Sequence, residues 1–240
     1  MSRPAVATHA TAYEHARPPA PQTPWREAEF CVIDLETTGL DAGVDEIISF
    51  AALQIAGGRL RLSDARYEHI RPRRMPDAET IRIHGLRAGD LNDAPTLSEV
   101  LDHVLDALSG TALVAHVASI ETGFLAAALR TEGLQLVNPI IDTSALAAEL
   151  FRRRGEPIEA PMGLSQLARA LGLPVHRPHH ADGDALTTAQ VFLALATLLD
   201  RFEPQTVGSL QRCGRDRGWR ALWPAALTRL VALRSRGGRR

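Results

Sequence analysis

Apolar and polar residues alternate with two different periods along this chain, and the order of those periods outlines a fold. Phe30-Cys31-Val32-Ile33 is an apolar, partly β-branched run that reads as a buried strand with its exit near Gly39. Glu46–Ile55 predicts a second strand and Arg59–Ile70 a third, with Gly57-Gly58 between them as a hairpin signal. Arg71–Pro95 reads as a loop-rich excursion. The period then changes: Leu97, Val100, Leu101, Val104, Leu105 and Leu108 recur at helical spacing until Gly110. Ala112–His116 is a short apolar strand, and the helix after it, running to about Glu132, could be capped by Ser119. Pro139–Ile141 predicts a further strand, followed by a helix from Asp142 or Thr143 to about Phe151. Beyond a polar loop over Arg152–Pro161, Leu164–Leu171 is a short helix and Ala181–Leu199 a long one. Three strands joined by short turns, then strands alternating with helices, predict an α/β layered domain on a mixed sheet.

The two ends lack that order. Residues 1–24 are rich in Ala, Pro and Thr without apolar periodicity and are expected to be disordered, leaving residues 25–200 as the folded domain. Residues 201–240 form a basic tail, with ten arginines against Glu203 and Asp216, whereas residues 1–200 hold 17 arginines against 26 acids. An acidic body with a basic tail points to a polyanion near the tail, with a plain solvated tail as the alternative. Trp219, Leu222, Trp223, Leu227, Leu230 and Val231 are spaced by threes and fours and predict a short amphipathic helix near Pro224. No run of 18 apolar residues is present, so no membrane span is expected. No basic-then-apolar leader is visible either, and Cys31 and Cys213 cannot build a disulfide framework. A cytoplasmic location is the simplest expectation.

Chemistry concentrates at four places. Asp34 and Glu36 stand two apart at the end of the first strand, so their side chains share a face. Two adjacent carboxylates repel unless a cation lies between them, and a divalent metal with oxygen ligands is the simplest such cation. Solvated strand-end charges are the plainer reading. Asp184 begins the stripe Asp184, Thr188, Val191, Leu195 and Leu198 on the last helix, a carboxylate on an otherwise apolar face. It is either paired or metal-bound, or it complements the helix N-terminus. Glu121 falls in the first turn of another helix, where an acid is electrostatically favoured in any case. His179 lies in the loop Val175-His176-Arg177-Pro178-His179-His180, and a zinc site from its three histidines lacks a supporting Cys pair or His-x-x-x-His spacing.

In their order these motifs resemble the DEDDh 3′–5′ exonucleases, in particular the epsilon proofreading subunits of bacterial replicative polymerases. Asp34-Leu35-Glu36-Thr37-Thr38-Gly39 matches the family's first motif in full, and His179 with Asp184 five residues later matches its third. His84-Gly85 and the Val114-Ala115-His116 strand also look like this family. The second motif departs from the usual His-Asn-x-x-Phe-Asp: here it is His116-Val117-Ala118-Ser119-Ile120-Glu121, with Val for Asn and Glu for Asp. The resemblance covers about residues 27–200 and implies an RNase H-like, three-layer α/β fold with a mixed five-stranded sheet flanked by helices. It implies release of nucleoside 5′-monophosphates from a single-stranded DNA or RNA 3′ end, with two divalent cations, Mg²⁺ or Mn²⁺, as cofactors. By the same resemblance Asp34 would bridge both cations, Glu36 and Asp184 would complete the first, and Glu121 would serve the second. His179 would be the general base, since an imidazole titrates near neutral pH. Thr37, Thr38, Gly39, Leu40 and His116 would meet the terminal nucleotide, and a DNA polymerase subunit is the implied protein partner. Val117 and Glu121 leave open a second function: a weak or inactive module that binds nucleic acid or a polymerase.

Overall fold

The computed structural model describes residues 4–156 and 162–213. Its centre is one five-stranded sheet in the order β3-β2-β1-β4-β5. The strands are β1 (Glu29–Thr37), β2 (Ile47–Ala56), β3 (Arg59–His69), β4 (Ala112–Ala115) and β5 (Ile140–Asp142). β1, β2 and β3 form an antiparallel meander, and β4 and β5 join on the other side in parallel, so the sheet is mixed. The helices are α1 (Pro4–His15), α2 (Ala78–His84), α3 (Ala88–Leu91), α4 (Leu97–Leu108), α5 (Ala118–Thr131), α6 (Thr143–Arg153), α7 (Leu164–Ala170), α8 (Ala181–Asp200) and α9 (Val207–Cys213).

The period-2 alternation of β1 sorts its side chains into two cores. Phe30 and Val32 face the helical layer of α6, α7, α8 and α9, with Phe192 of α8 packed on Phe30 at 4.9 Å between ring centroids. Cys31, Ile33 and Leu35 face α4 and α5 on the other side. β1 is central and covered on both faces, which explains why its sequence is nearly continuous in apolar residues. By the same alternation Asp34 and Glu36 belong to the α8 face, at the point where the strand runs out of cover.

Several expectations need correction. Residues 4–15 form a helix where the sequence predicts disorder, and Tyr13 is buried with its hydroxyl donating to Asn138 Oδ1 at 2.8 Å. That anchor lies 125 residues away, so no local pattern announces it. The domain also extends past residue 200. Val207 and Leu210 of α9 are core residues, and Pro24 bridges to Thr206. The 71–95 excursion contains α2 and α3. Ser119 does not cap α5; Val117 does, with φ 64° and ψ 48°. The amphipathic set from Trp219 to Val231 lies outside the described residues. Among the described residues no helix is long and apolar enough to cross a membrane.

Candidate active site

The cleft opens at the C-terminal end of β1, where Asp34 and Glu36 emerge beside the first turn of α8. That turn brings Asp184, and one carboxylate oxygen each from Asp34, Glu36 and Asp184 fall within 4.8 Å of one another. Three carboxylates this close repel strongly when all are ionised. An all-oxygen set of hard anionic donors suits Mg²⁺ or Mn²⁺, so the residues present fit a divalent cation. Among the described residues this is the single acidic or histidine cluster with metal-ligand spacing; His176, His179 and His180 do not form one.

Glu121 stands apart from that trio, and the layers explain why. It belongs to α5, on the opposite side of the sheet from α8, and reaches the cleft from below the end of β1. Its carboxyl accepts a hydrogen bond from the Leu35 backbone, while Oε2 is buried without a partner. Burial pushes its pKa up to about 8, and the nearby charge of Asp184 adds to the rise. A buried carboxyl with an orphaned oxygen beside three other carboxylates has the chemistry of a site completed by a cation.

His179 stands at the rim of the same cleft. Its φ is 63°, in the left-handed region, and its backbone N–H donates to Asp184 Oδ2 at 2.9 Å. The general-base candidate and a candidate metal ligand are thus joined directly. Gly183 makes room for the loop: a Cβ there would lie 2.5 Å from the His176 carbonyl oxygen.

The expected substrate residues divide. Thr37, Gly39 and Leu40 line the cleft, and Leu40 is 59% exposed, an apolar surface at its mouth. Thr38 does not line it. Its hydroxyl donates to Asp45 Oδ1 and accepts from the Glu46 N–H, and its carbonyl accepts from Thr80. Gly39 is small for a reason the sequence did not reveal: a Cβ there would meet the Asp45 carboxylate at 2.4 Å. His116 lines the cleft, but the protein occupies both ring nitrogens. The Met162 carbonyl can only accept, so Nε2 carries the proton at 3.0 Å, and Nδ1 lies 2.9 Å from the Thr143 hydroxyl. Burial lowers the pKa of this ring and keeps it neutral, so Nδ1 accepts. His116 therefore braces the cleft wall and has no ring nitrogen left for a ligand.

Sequence reasoning did not assign several wall residues to the site, among them Gly163 and Leu164 at the start of α7. Thr80, Ile83 and His84 come from α2, and Ile120 from α5. His84 is almost fully buried; its Nδ1 accepts from the Leu86 N–H at 2.9 Å, and its Nε2 has no partner. Burial, helped by neighbouring His180, lowers its pKa to about 4, so it is neutral. The signal available for it was the His84-Gly85 pair, read only as a family likeness. Val117 was noted for its identity and not its geometry. Its positive φ suits Asn far better than a β-branched residue.

A mixed five-stranded sheet with helices on both faces, and acidic side chains gathered at the end of its central strand, defines an α/β protein of the RNase H-like class. A family model described as Exonuclease matches residues 31–192, and the chain belongs to that family. Among its relatives, the PolC-type DNA polymerase III of Thermotoga maritima is 34% identical over 206 residues, 85% of this chain and 14% of the relative. A DNA polymerase III subunit epsilon-like protein of Rhodobacter capsulatus is 32% identical over 193 residues, 79% of this chain and 27% of the relative. The chain thus corresponds to a small part of these longer proteins. Among solved structures, exonuclease X in complex with 5′ overhanging duplex DNA superposes with a TM-score of 0.59 at 20% identity, over 76% of this chain and 99% of that one. E. coli exonuclease I with a dT13 oligonucleotide gives 0.64 at 15% identity, over 73% and 42%. At that identity the likeness concerns the fold.

Proposed function

We propose that this protein is a divalent-metal-dependent 3′–5′ exonuclease that removes nucleoside 5′-monophosphates from a DNA 3′ end. The observation that carries the reading is the convergence of Asp34, Glu36 and Asp184 in a cleft whose rim holds His179, tethered to Asp184. Asp34, Glu36 and Asp184 would hold the first Mg²⁺ or Mn²⁺, and Glu121 would contribute to a second. Such cations supply Lewis-acid stabilisation of the negative charge that builds up on the phosphoryl, attacking and leaving oxygens. The rest is work for this chain's own residues. His179, in neutral form, takes a proton from the attacking water. Leu40, Ile83 and Ile120 give the terminal nucleotide an apolar wall, and Thr37 and Gly39 offer backbone at close range. His116, held by Thr143 and Met162, keeps the β4 side of the cleft rigid.

DNA is favoured over RNA because the relatives are named as DNA polymerase III and as a DNA polymerase III subunit epsilon-like protein, and the fold neighbour exonuclease X is described with DNA. The same names support a DNA polymerase subunit as partner, and a cytoplasmic setting is proposed with it. One observation favours a second reading, a binding module without activity: the Glu121 side chain is one methylene longer than the usual Asp, and its burial raises its pKa to about 8, which works against the carboxylate form a metal ligand needs. A single-stranded oligonucleotide labelled at its 3′ end decides between them. Loss of label with Mn²⁺ or Mg²⁺, stopped by EDTA, supports the exonuclease; binding without loss in any divalent cation supports the module.

A further inference from the structure

The loop carrying His179 is held in an unfavourable backbone shape. Arg177 and His179 have φ of 29° and 63° on either side of Pro178, values that residues with a Cβ rarely adopt. Such a shape persists only where the surroundings enforce it, and here the enforcement comes from α8. The His176 N–H donates to Thr187 Oγ1 at 3.0 Å, and the His179 N–H donates to Asp184 Oδ2 at 2.9 Å. The loop also lies directly on Gly183. These contacts involve the loop's backbone, which any sequence could offer. The charged tether is different: Arg177 Nη1 donates to Asp182 Oδ2 at 2.7 Å across the loop. The other Asp182 oxygen is buried without a partner, so this carboxylate is partly removed from water with a cation beside it. Asp182 sits in the same helical turn as Asp184.

Taking His179 as the general base, which is the reading above, we infer that Arg177 and Asp182 are positioning residues for it. Their ion pair closes the loop onto the first turn of α8 and fixes where the imidazole stands relative to the carboxylate trio. Without the pair the left-handed backbone relaxes and the imidazole spends less time in place. The walls that would receive the nucleotide lie on β1, α2 and α5 and are untouched. Turnover therefore falls while substrate affinity does not.

The test uses the full chain with Mn²⁺ and a 3′-labelled single-stranded oligonucleotide. kcat, KM and Tm are measured for Arg177→Gln, Asp182→Asn, the double variant and Arg177→Lys. Each single substitution is expected to lower kcat about fivefold, the scale of one partly exposed ion pair, with KM unchanged and Tm lower by no more than about 2–4 °C. The double variant should be no slower than the slower single, and Arg177→Lys should recover most of the loss. Unchanged kcat, losses that multiply in the double variant, a rise in KM or a fall in Tm well beyond about 4 °C would each overturn the inference. His179→Ala in the same assay separates the two layers of the reading. If it turns over like wild type, the assignment of the base has failed; if it is slow while the pair variants are not, the inference alone has failed.

Discussion

At the residue scale the decisive group is Glu121, because its environment and its proposed role pull in opposite directions. Burial raises its pKa from 4.5 to about 8, whereas a role as metal ligand needs the carboxylate. The raised value makes a thermodynamic prediction. The folded state keeps a proton that the unfolded chain gives up near pH 4.5, so this group's contribution to stability is present below that pH. It is lost progressively as pH rises toward about 8. In EDTA, the Tm of Glu121→Gln minus that of wild type should therefore be smallest near pH 4, climb to about pH 8, and level off. An offset that is constant across this range would show that the carboxyl is not perturbed. His179→Ala is expected to lower kcat by about 10²–10⁴-fold with Tm intact, and His180→Ala to be tolerated. Equal losses from the two would mean that the loop and not the imidazole was damaged. Residue identities were legible at the first and third motifs because strand and helix periodicity fix which face a side chain takes. The burial of Glu121, the occupied ring of His116 and the turned-away Thr38 depend on contacts far apart in sequence, such as Met162 against His116, and no local pattern carries those.

At the element scale the site is an intersection. β1 delivers Asp34 and Glu36 to one face, α8 starts beside them, and α5 approaches from the other layer. The strands and the long helices were readable in the chain, β1 and β4 from apolar runs and α4 from its helical spacing. The short helices α2 and α3 were not, and they hold Thr80, Ile83 and His84. α1 was missed for a different reason: Ala-rich residues give it helix propensity without an apolar stripe, and its docking rests on contacts far away in sequence, Tyr13 in the core and on Asn138, and His9 beside Asp102 and Asp106. The Tyr13 anchor is testable. Tyr13→Phe removes the hydroxyl that donates to Asn138 and accepts from the Val137 N–H, leaving buried groups without a partner at a cost of about 1–3 kcal/mol. The Tm should fall by about 2–4 °C for each kcal/mol in a chain of this size. An unchanged Tm would show that this hydroxyl contributes nothing to the fold's stability.

At the scale of the whole molecule, charge is divided between an acidic body and an Arg-rich end. If residues 214–240 contact phosphates, they do so without regard to sequence and with strong dependence on salt. Truncation after Cys213, which keeps α9 and its buried Val207 and Leu210, should raise KM for long strands, leave a dinucleotide nearly unaffected, and flatten the salt dependence of binding. The same salt slope with and without the segment would exclude it as a nucleic-acid contact. The account as a whole stands on one claim, that the Asp34–Glu36–Asp184 cleft hydrolyses phosphodiesters from a 3′ end with a divalent cation. The most direct measurement is time-resolved digestion of a 5′-labelled single strand in Mn²⁺, with product identification, for wild type beside Asp34→Asn. The account predicts a ladder that shortens from the 3′ end, nucleoside 5′-monophosphates as product, and near-complete loss of both in Asp34→Asn. Shortening from the 5′ end, internal cuts, or equal digestion by Asp34→Asn would contradict it.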